Sequence, residues 1–105
     1  MCFNDLIAMG LLKALQDRGV QIPRQISVTG FDNITLSAFT SPALTTLDQP
    51  KRSIGEEAMR LLLTLLANSN PDESFQPTRK ILKGNLLIRQ STCAPISVAT
   101  MEIAL

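Results

Sequence analysis

The sequence predicts a truncated α/β fold with the element order α-β-β-α-β-β. Three observations carry that expectation. Apolar residues recur at helical spacing in two long stretches, residues 5–18 and 50–67, and two short β-rich runs, residues 26–29 and 43–47, lie between them. Both runs then give way to polar groups, Gly30-Phe31-Asp32-Asn33 and Asp48-Gln49-Pro50. In α/β sheets a small ligand sits outside the carboxyl ends of the strands, where the chain leaves the packed layer and aims side chains into a crevice. Ligand sensing is therefore the leading reading of the residues themselves.

In the first helix, Ile7, Ala8, Leu11, Leu12 and Leu15 form the apolar stripe, and Asn4 or Asp5 is placed to accept from the first free backbone N–H groups. Gly19 suits the left-handed position after the helix, Val20 then meets Leu15, and Pro23 forbids resumption. Residues 26–29, Ile-Ser-Val-Thr, alternate as a short strand that Gly30 ends in a turn. Residues 34–39 suit one helical turn, and residues 43–47 a second strand stiffened by Thr45 and Thr46. Pro50 fits the first position of the second helix, where its missing N–H costs nothing.

That second helix carries Ile54, Ala58, Leu61, Leu62, Leu65 and Leu66 on one side, and Met59 and Leu63 widen the stripe until it expects cover from more than one direction. Residues 68–74 read as a turn-rich loop, and residues 79–82 and 85–88 as two strands bridged near Lys83-Gly84. The order has a physical defect. Parallel sheets grow by β-α-β crossovers, yet only Met1-Cys2-Phe3, the stub of a strand, precedes the first helix. A chain cut there leaves leucine-sized side chains bare at ~1.5–3 kcal/mol each, enough to favour oligomerisation or exchange of elements.

Composition excludes several classes. With 45% hydrophobic and 18% charged residues among 105, the chain is globular in type, and a net charge of +1 gives no broad footprint for phosphate backbones. Cys2 and Cys93 lie near opposite ends, a poor disulfide framework that fits a reducing cytoplasm. The start lacks a basic, cleavable leader, and the apolar tail 96–105 is too short to span a bilayer, so it reads as a frayed terminus or an edge strand and no membrane partner is expected. There is no histidine, no G-x-G-x-x-G, no G-x-x-x-x-G-K and no metal-ligand spacing, so neither catalysis nor a cofactor or metal is expected. Asp5 and Asp32 make a conceivable carboxylate pair, but such pairs near a sheet edge are common.

Five segments in order carry a resemblance: Phe3-Asn4-Asp5-Leu6-Ile7-Ala8-Met9-Gly10; Arg18-Gly19-Val20-Gln21-Ile22-Pro23; Ile26-Ser27-Val28-Thr29-Gly30-Phe31-Asp32-Asn33; Pro42-Ala43-Leu44-Thr45-Thr46-Leu47-Asp48-Gln49-Pro50; and Leu87-Ile88-Arg89-Gln90-Ser91-Thr92. Together, over about residues 2–95, they resemble the C-terminal part of a LacI/GalR-family transcription regulator. The resemblance implies part of a type I periplasmic-binding-protein-like sensor, a three-layer α/β/α parent fold of two subdomains. A small effector, a sugar or nucleobase, is then held in the cleft between them, and its binding alters operator affinity. Residues 1–95 would be the C-terminal portion of an effector-binding and dimerisation domain, with pieces of both subdomains and neither complete, and residues 96–105 its tail. DNA would be reached only through a helix-turn-helix headpiece that these residues do not contain.

Residue by residue, the resemblance matches Asn4, Asp32 and Gln49 to effector-contacting positions. A carboxylate and two amides suit vicinal hydroxyls, and such groups reject ligands that leave them unpaired. The plain alternatives are that Asn4 caps a helix and Asp32 closes a turn. Asp5 suits the helix dipole without any ligand, and Lys51 and Arg52 read as solvated charge. Met9, Leu12, Lys13, Leu36 and Phe39 match the dimer-forming surface, implying a homodimer or a swapped oligomer, although helix-spaced Met and Leu equally suit a core. A rival is a fragment of a sugar-binding protein for transport; the Leu44–Pro50 and Ile88–Thr92 segments favour the regulator. A bare self-associating interaction module is the third class.

Overall fold

A computed structural model of the chain describes residues 1–67 and 77–95. The elements are α1 (Asp5–Asp17), β1 (Thr29–Phe31), a 3-10 turn (Thr35–Ala38), β2 (Thr45–Asp48), α2 (Lys51–Ala67) and β3 (Asn85–Leu87). The chain divides into two compact units, Met1–Asp48 with Asn85–Leu105, and Gln49–Gly84. The predicted boundary between a domain and a tail at residue 96, and the loop at 68–74, lie outside the described residues.

In the first unit, α1 begins and ends as its sequence dictates. Asn4 accepts from the Ile7 N–H at 2.9 Å, satisfying one of the donors a helix start leaves open. At the other end Gly19 has φ +72°, its N–H donates to Gln16 O at 2.9 Å, and the Val20 N–H donates to Leu15 O at 3.0 Å. This is the double-bonded Schellman ending that the Leu15, Gly19 and Val20 spacing predicts. Residues 1–3, expected as the stub of a strand, carry no assigned strand, although the Cys2 N–H donates to Thr29 O at 2.8 Å.

The first two strands begin later than predicted, while β3 begins at Asn85 as expected. β1 starts at Thr29 because the backbone N–H of Val28 donates to Ser91 O at 2.8 Å instead of entering a ladder, and the Ser91 hydroxyl donates to Val28 O at 2.6 Å. The ladder then pairs Thr29 with Thr45, Gly30 with Thr46 and Phe31 with Leu47 in parallel. β3 joins the other edge of β2 in antiparallel register, so the sheet has the order β1-β2-β3 and is mixed. Residues 79–82 carry no strand, so the predicted α-β-β-α-β-β order loses its fifth element. Arg79 and Lys80 break any alternation that would have given this segment one buried face.

Gly30 is also not the turn residue that was predicted. It sits inside β1, fully buried, because a Cβ there would lie 2.1 Å from Asp5 Oδ1 and 2.9 Å from a Leu44 methyl. The requirement is close approach, not a special dihedral angle. The core of this unit is Ala8, Leu12, Val28 and Leu44, with Cys2, Leu15 and Ile22 packed against it. Leu12, predicted as a dimer contact, is therefore a core residue with 3% of its surface exposed. Its place on the buried side of α1 follows from Ala8, one turn earlier, facing the same sheet.

In the second unit, α2 follows Pro50, whose carbonyl accepts from the Ile54 N–H at 2.9 Å. The helix has no buried residue, so the broad apolar stripe predicted for it is uncovered among the described residues. Glu57 is bound by Lys80 and by Arg60 three residues along. The Lys80 hydrogen bond, aided by the Arg60 charge, outweighs partial desolvation and holds the Glu57 carboxyl below the usual glutamate range.

Two outcomes follow from this packing. Gly30→Ala should destabilise the chain by about 1–3 kcal/mol in thermal or urea unfolding, since the Asp5 carboxylate has no room to retreat. A carboxyl lowered by folding contributes stability that is present above its unfolded value and lost as pH falls through the folded one. Carbon-detected NMR titration should thus give Glu57 a midpoint below that of an unstructured glutamate, and Lys80→Ala should raise it.

Candidate functional site

The polar groups past β1 are organised around a backbone turn. Asp32 and Asn33 have φ +115° and +50°, although neither is glycine. Asparagine visits the left-handed region readily, whereas an aspartate at +115° is strained, a state costing about 1–3 kcal/mol and kept where neighbours over-determine it.

Those neighbours come from three parts of the chain. The Asp32 N–H donates to Leu47 O at 3.0 Å, the Asn33 N–H to Thr46 Oγ1 at 3.3 Å and the Ile34 N–H to Asp5 Oδ2 at 2.9 Å. Asp5 is fully buried, and its other oxygen accepts from the buried Thr46 hydroxyl at 2.6 Å. From a third segment, Arg89 Nη2 donates to Asn33 Oδ1 at 2.8 Å, while Nη1 donates to Ser37 Oγ and Leu44 O, each at 2.9 Å. Among the described residues no buried side-chain nitrogen or oxygen lacks a partner.

The three residues read as effector contacts are differently placed. Asp32 is half-buried in the strained turn. Asn4 is half-buried at the start of α1 and spends its carbonyl oxygen on the cap, and the Asp5–Ile34 bond ties this helix end to the turn that holds Asp32. Gln49 is half-buried directly after β2 and opens the second unit. Of the remaining dimer candidates, Met9 is half-buried, Lys13 is exposed beside Asp17, and Leu36 and Phe39 are 58% and 80% exposed. Arg52 pairs with Glu56 on its own helix at 2.9 Å.

Sequence reasoning missed the depth of Asp5 and the roles of Thr46 and Arg89. The dipole reading of Asp5 had the right class, a structural carboxylate, but the wrong setting: it is an interior acceptor for two donors. The signal available was Gly30 in a β-rich run, which marks a place where something must come close.

Residues 1–92 match the family profile described as a periplasmic binding protein-like domain. The chain belongs to this family. It is similar to the HTH-type transcriptional repressor PurR of Vibrio atlanticus (strain LGP32), at 46% identity over 72 residues, 69% of this chain and 22% of that protein. Among solved structures it is similar to a LacI family transcriptional regulator from Silicibacter pomeroyi, at 35% identity and TM-score 0.68 over 87% of this chain and 30% of that one. It is likewise similar to a LacI family regulator from Arthrobacter sp. FB24 in complex with lactose, at 38% identity and TM-score 0.65, covering 86% of this chain and 33% of that one. These relatives place the chain with LacI/GalR-type effector domains, and it spans about a fifth of the length of the PurR protein it matches. Among the described residues no helix is long and apolar enough to cross a membrane.

Asp5→Ala leaves the Ile34 N–H and the Thr46 hydroxyl without their acceptor, and each buried donor so stranded costs about 1–3 kcal/mol. Urea unfolding should show that loss, and Asp5→Asn, which keeps one acceptor oxygen, should recover part of it.

Proposed function

We propose that this chain is the effector-sensing portion of a LacI/GalR-type transcriptional regulator, a binding part and not a catalytic one, working in the cytoplasm. Its effector is a sugar, held by Asp32, Asn4 and Gln49, and binding is relayed to a DNA-binding headpiece outside these residues. The observation that carries this reading is Asp32, a half-buried carboxylate kept in a strained conformation just past the end of β1. Strain of that kind is retained where a side chain must be aimed.

The chemistry agrees with the assignment. Asp32 can accept from two adjacent hydroxyls, the Asn4 amide nitrogen can donate once its oxygen is used by the cap, and Gln49 can do either. A sugar supplies matching donors and acceptors, and the similar Arthrobacter regulator was solved with lactose. The two compact units correspond, on this reading, to pieces of the two subdomains of a hinged sensor. Met9, Lys13, Leu36 and Phe39 form the dimer-forming surface, with Leu12 removed from it.

Calorimetric titration of the chain with lactose tests the site. Saturable binding that Asp32→Ala weakens about tenfold or more is the expected result. Undiminished affinity in the variant removes Asp32 from the site, and no heat with the parent chain removes the sugar. For the dimer surface, Phe39→Asp should lower the mass seen by light scattering at high concentration; an unchanged mass takes Phe39 out of the interface.

A further inference from the structure

The effector reading uses Asp32 but leaves open what aims it. The backbone N–H groups of Asp32, Asn33 and Ile34 each donate to an acceptor elsewhere in the unit. A further bond grips a side chain of the turn: Arg89 Nη2 donates to Asn33 Oδ1 at 2.8 Å. Arg89 can act as a rigid arm because its guanidinium is anchored at its other end on two groups of the same unit, the Ser37 hydroxyl and the Leu44 carbonyl. Ser37 and Leu44 are both fully buried. The Arg89 backbone is pinned as well, its N–H donating to Thr45 Oγ1 at 2.9 Å.

All three acceptors of the guanidinium are neutral oxygens, arranged so that one planar fork reaches all of them. A lysine ammonium at the same place is a point charge on a flexible stem and does not reproduce that spread. The geometry therefore makes use of the shape of arginine, which a purely electrostatic role would not need.

We propose that Arg89 is a positioning residue for the effector site: by fixing Asn33 it sets the Asp32–Asn33 turn and with it the direction of the Asp32 carboxylate. This rests on the reading of Asp32 as an effector contact, but the effect on the turn is measurable without any ligand. Arg89 touches the effector through no atom of its own; its action passes through Asn33.

The test is amide NMR and hydrogen exchange on the chain, followed by titration with lactose. In Arg89→Ala the amides of Asp32 and Asn33 should shift and exchange about tenfold faster or more, while those of Ala8 and Leu12 in the core stay protected. Arg89→Lys should resemble Arg89→Ala and not the parent. Val28→Ala, which loosens the core without touching the turn, should lower stability and leave the two turn amides in place. Should Arg89→Ala fail to fold, Asn33→Gly removes the acceptor while tolerating the positive φ, and it should mobilise the same amides. Lactose affinity should fall about tenfold in Arg89→Ala and in Arg89→Lys. Unchanged turn amides in Arg89→Ala, equal changes in Val28→Ala, or full rescue by lysine overturns the proposal. A turn that responds as described in a parent chain that binds no lactose refutes the sugar reading and supports the role of Arg89 in setting the turn.

Discussion

The buried carboxylate of Asp5 is the contact on which the rest of the first unit depends. A charge taken out of water is tolerated where hydrogen bonds replace its hydration, and here two donors from two other segments do so, the Ile34 N–H and the Thr46 hydroxyl. One side chain thereby ties the start of α1 to β2 and to the turn past β1. The arrangement also dictates residue 30: the carboxylate occupies the space of a β-carbon there, so the strand beneath it must carry glycine. Asp5 and Gly30 are a single structural decision written at two distant places in the chain.

A second tie comes from the end of the described chain. Ser91 accepts from the Thr45 N–H at 2.8 Å and donates to Val28 O, and Arg89 reaches Asn33, Ser37 and Leu44. Among the described residues four apolar side chains are enclosed in the core of this unit, Ala8, Leu12, Val28 and Leu44. Buried polar side chains, all satisfied among the described residues, take a share in fixing one arrangement. Polar bonds are directional where apolar contact is not, which suits a unit that has to present a strained turn in one orientation.

How much of this could be read in advance follows from the range of each interaction. Both helices were legible because caps, the Gly19 ending and the apolar stripes are written within a few residues of each other. The strands were less legible: of the four expected, residues 79–82 carry none and the first two begin late. β1 was displaced by three residues because Val28 bonds to Ser91, sixty-three positions away, and no local pattern announces that partner. Asp32 stood out through its place after a strand, yet its positive φ was not foreseen, since the four bonds that impose it come from residues 5, 46, 47 and 89. Leu12 was misplaced for a related reason: a helical stripe says which residues share a side, and only the sheet decides which part of that side is covered.

The two units differ in what holds them. The bonds to the Asp32–Asn33 turn named above come from residues of the first unit. α2 is a helix of 17 residues with no buried side chain, supported along its surface by pairs such as Arg52 with Glu56. Pairs of that kind contribute about 0.3–0.5 kcal/mol each, little against the marginal stability of an isolated helix. Gln49 stands at the head of that unit, one residue beyond the strand that carries Thr46 and Leu47. Under the proposed function, a sugar that bonds to Asp32 meets a group held by polar ties to α1, β2 and Arg89. A turn whose orientation is fixed by bonds from residues 5, 46, 47 and 89 presents Asp32 to a ligand at little further ordering cost, so little of that contact's free energy goes into arranging it.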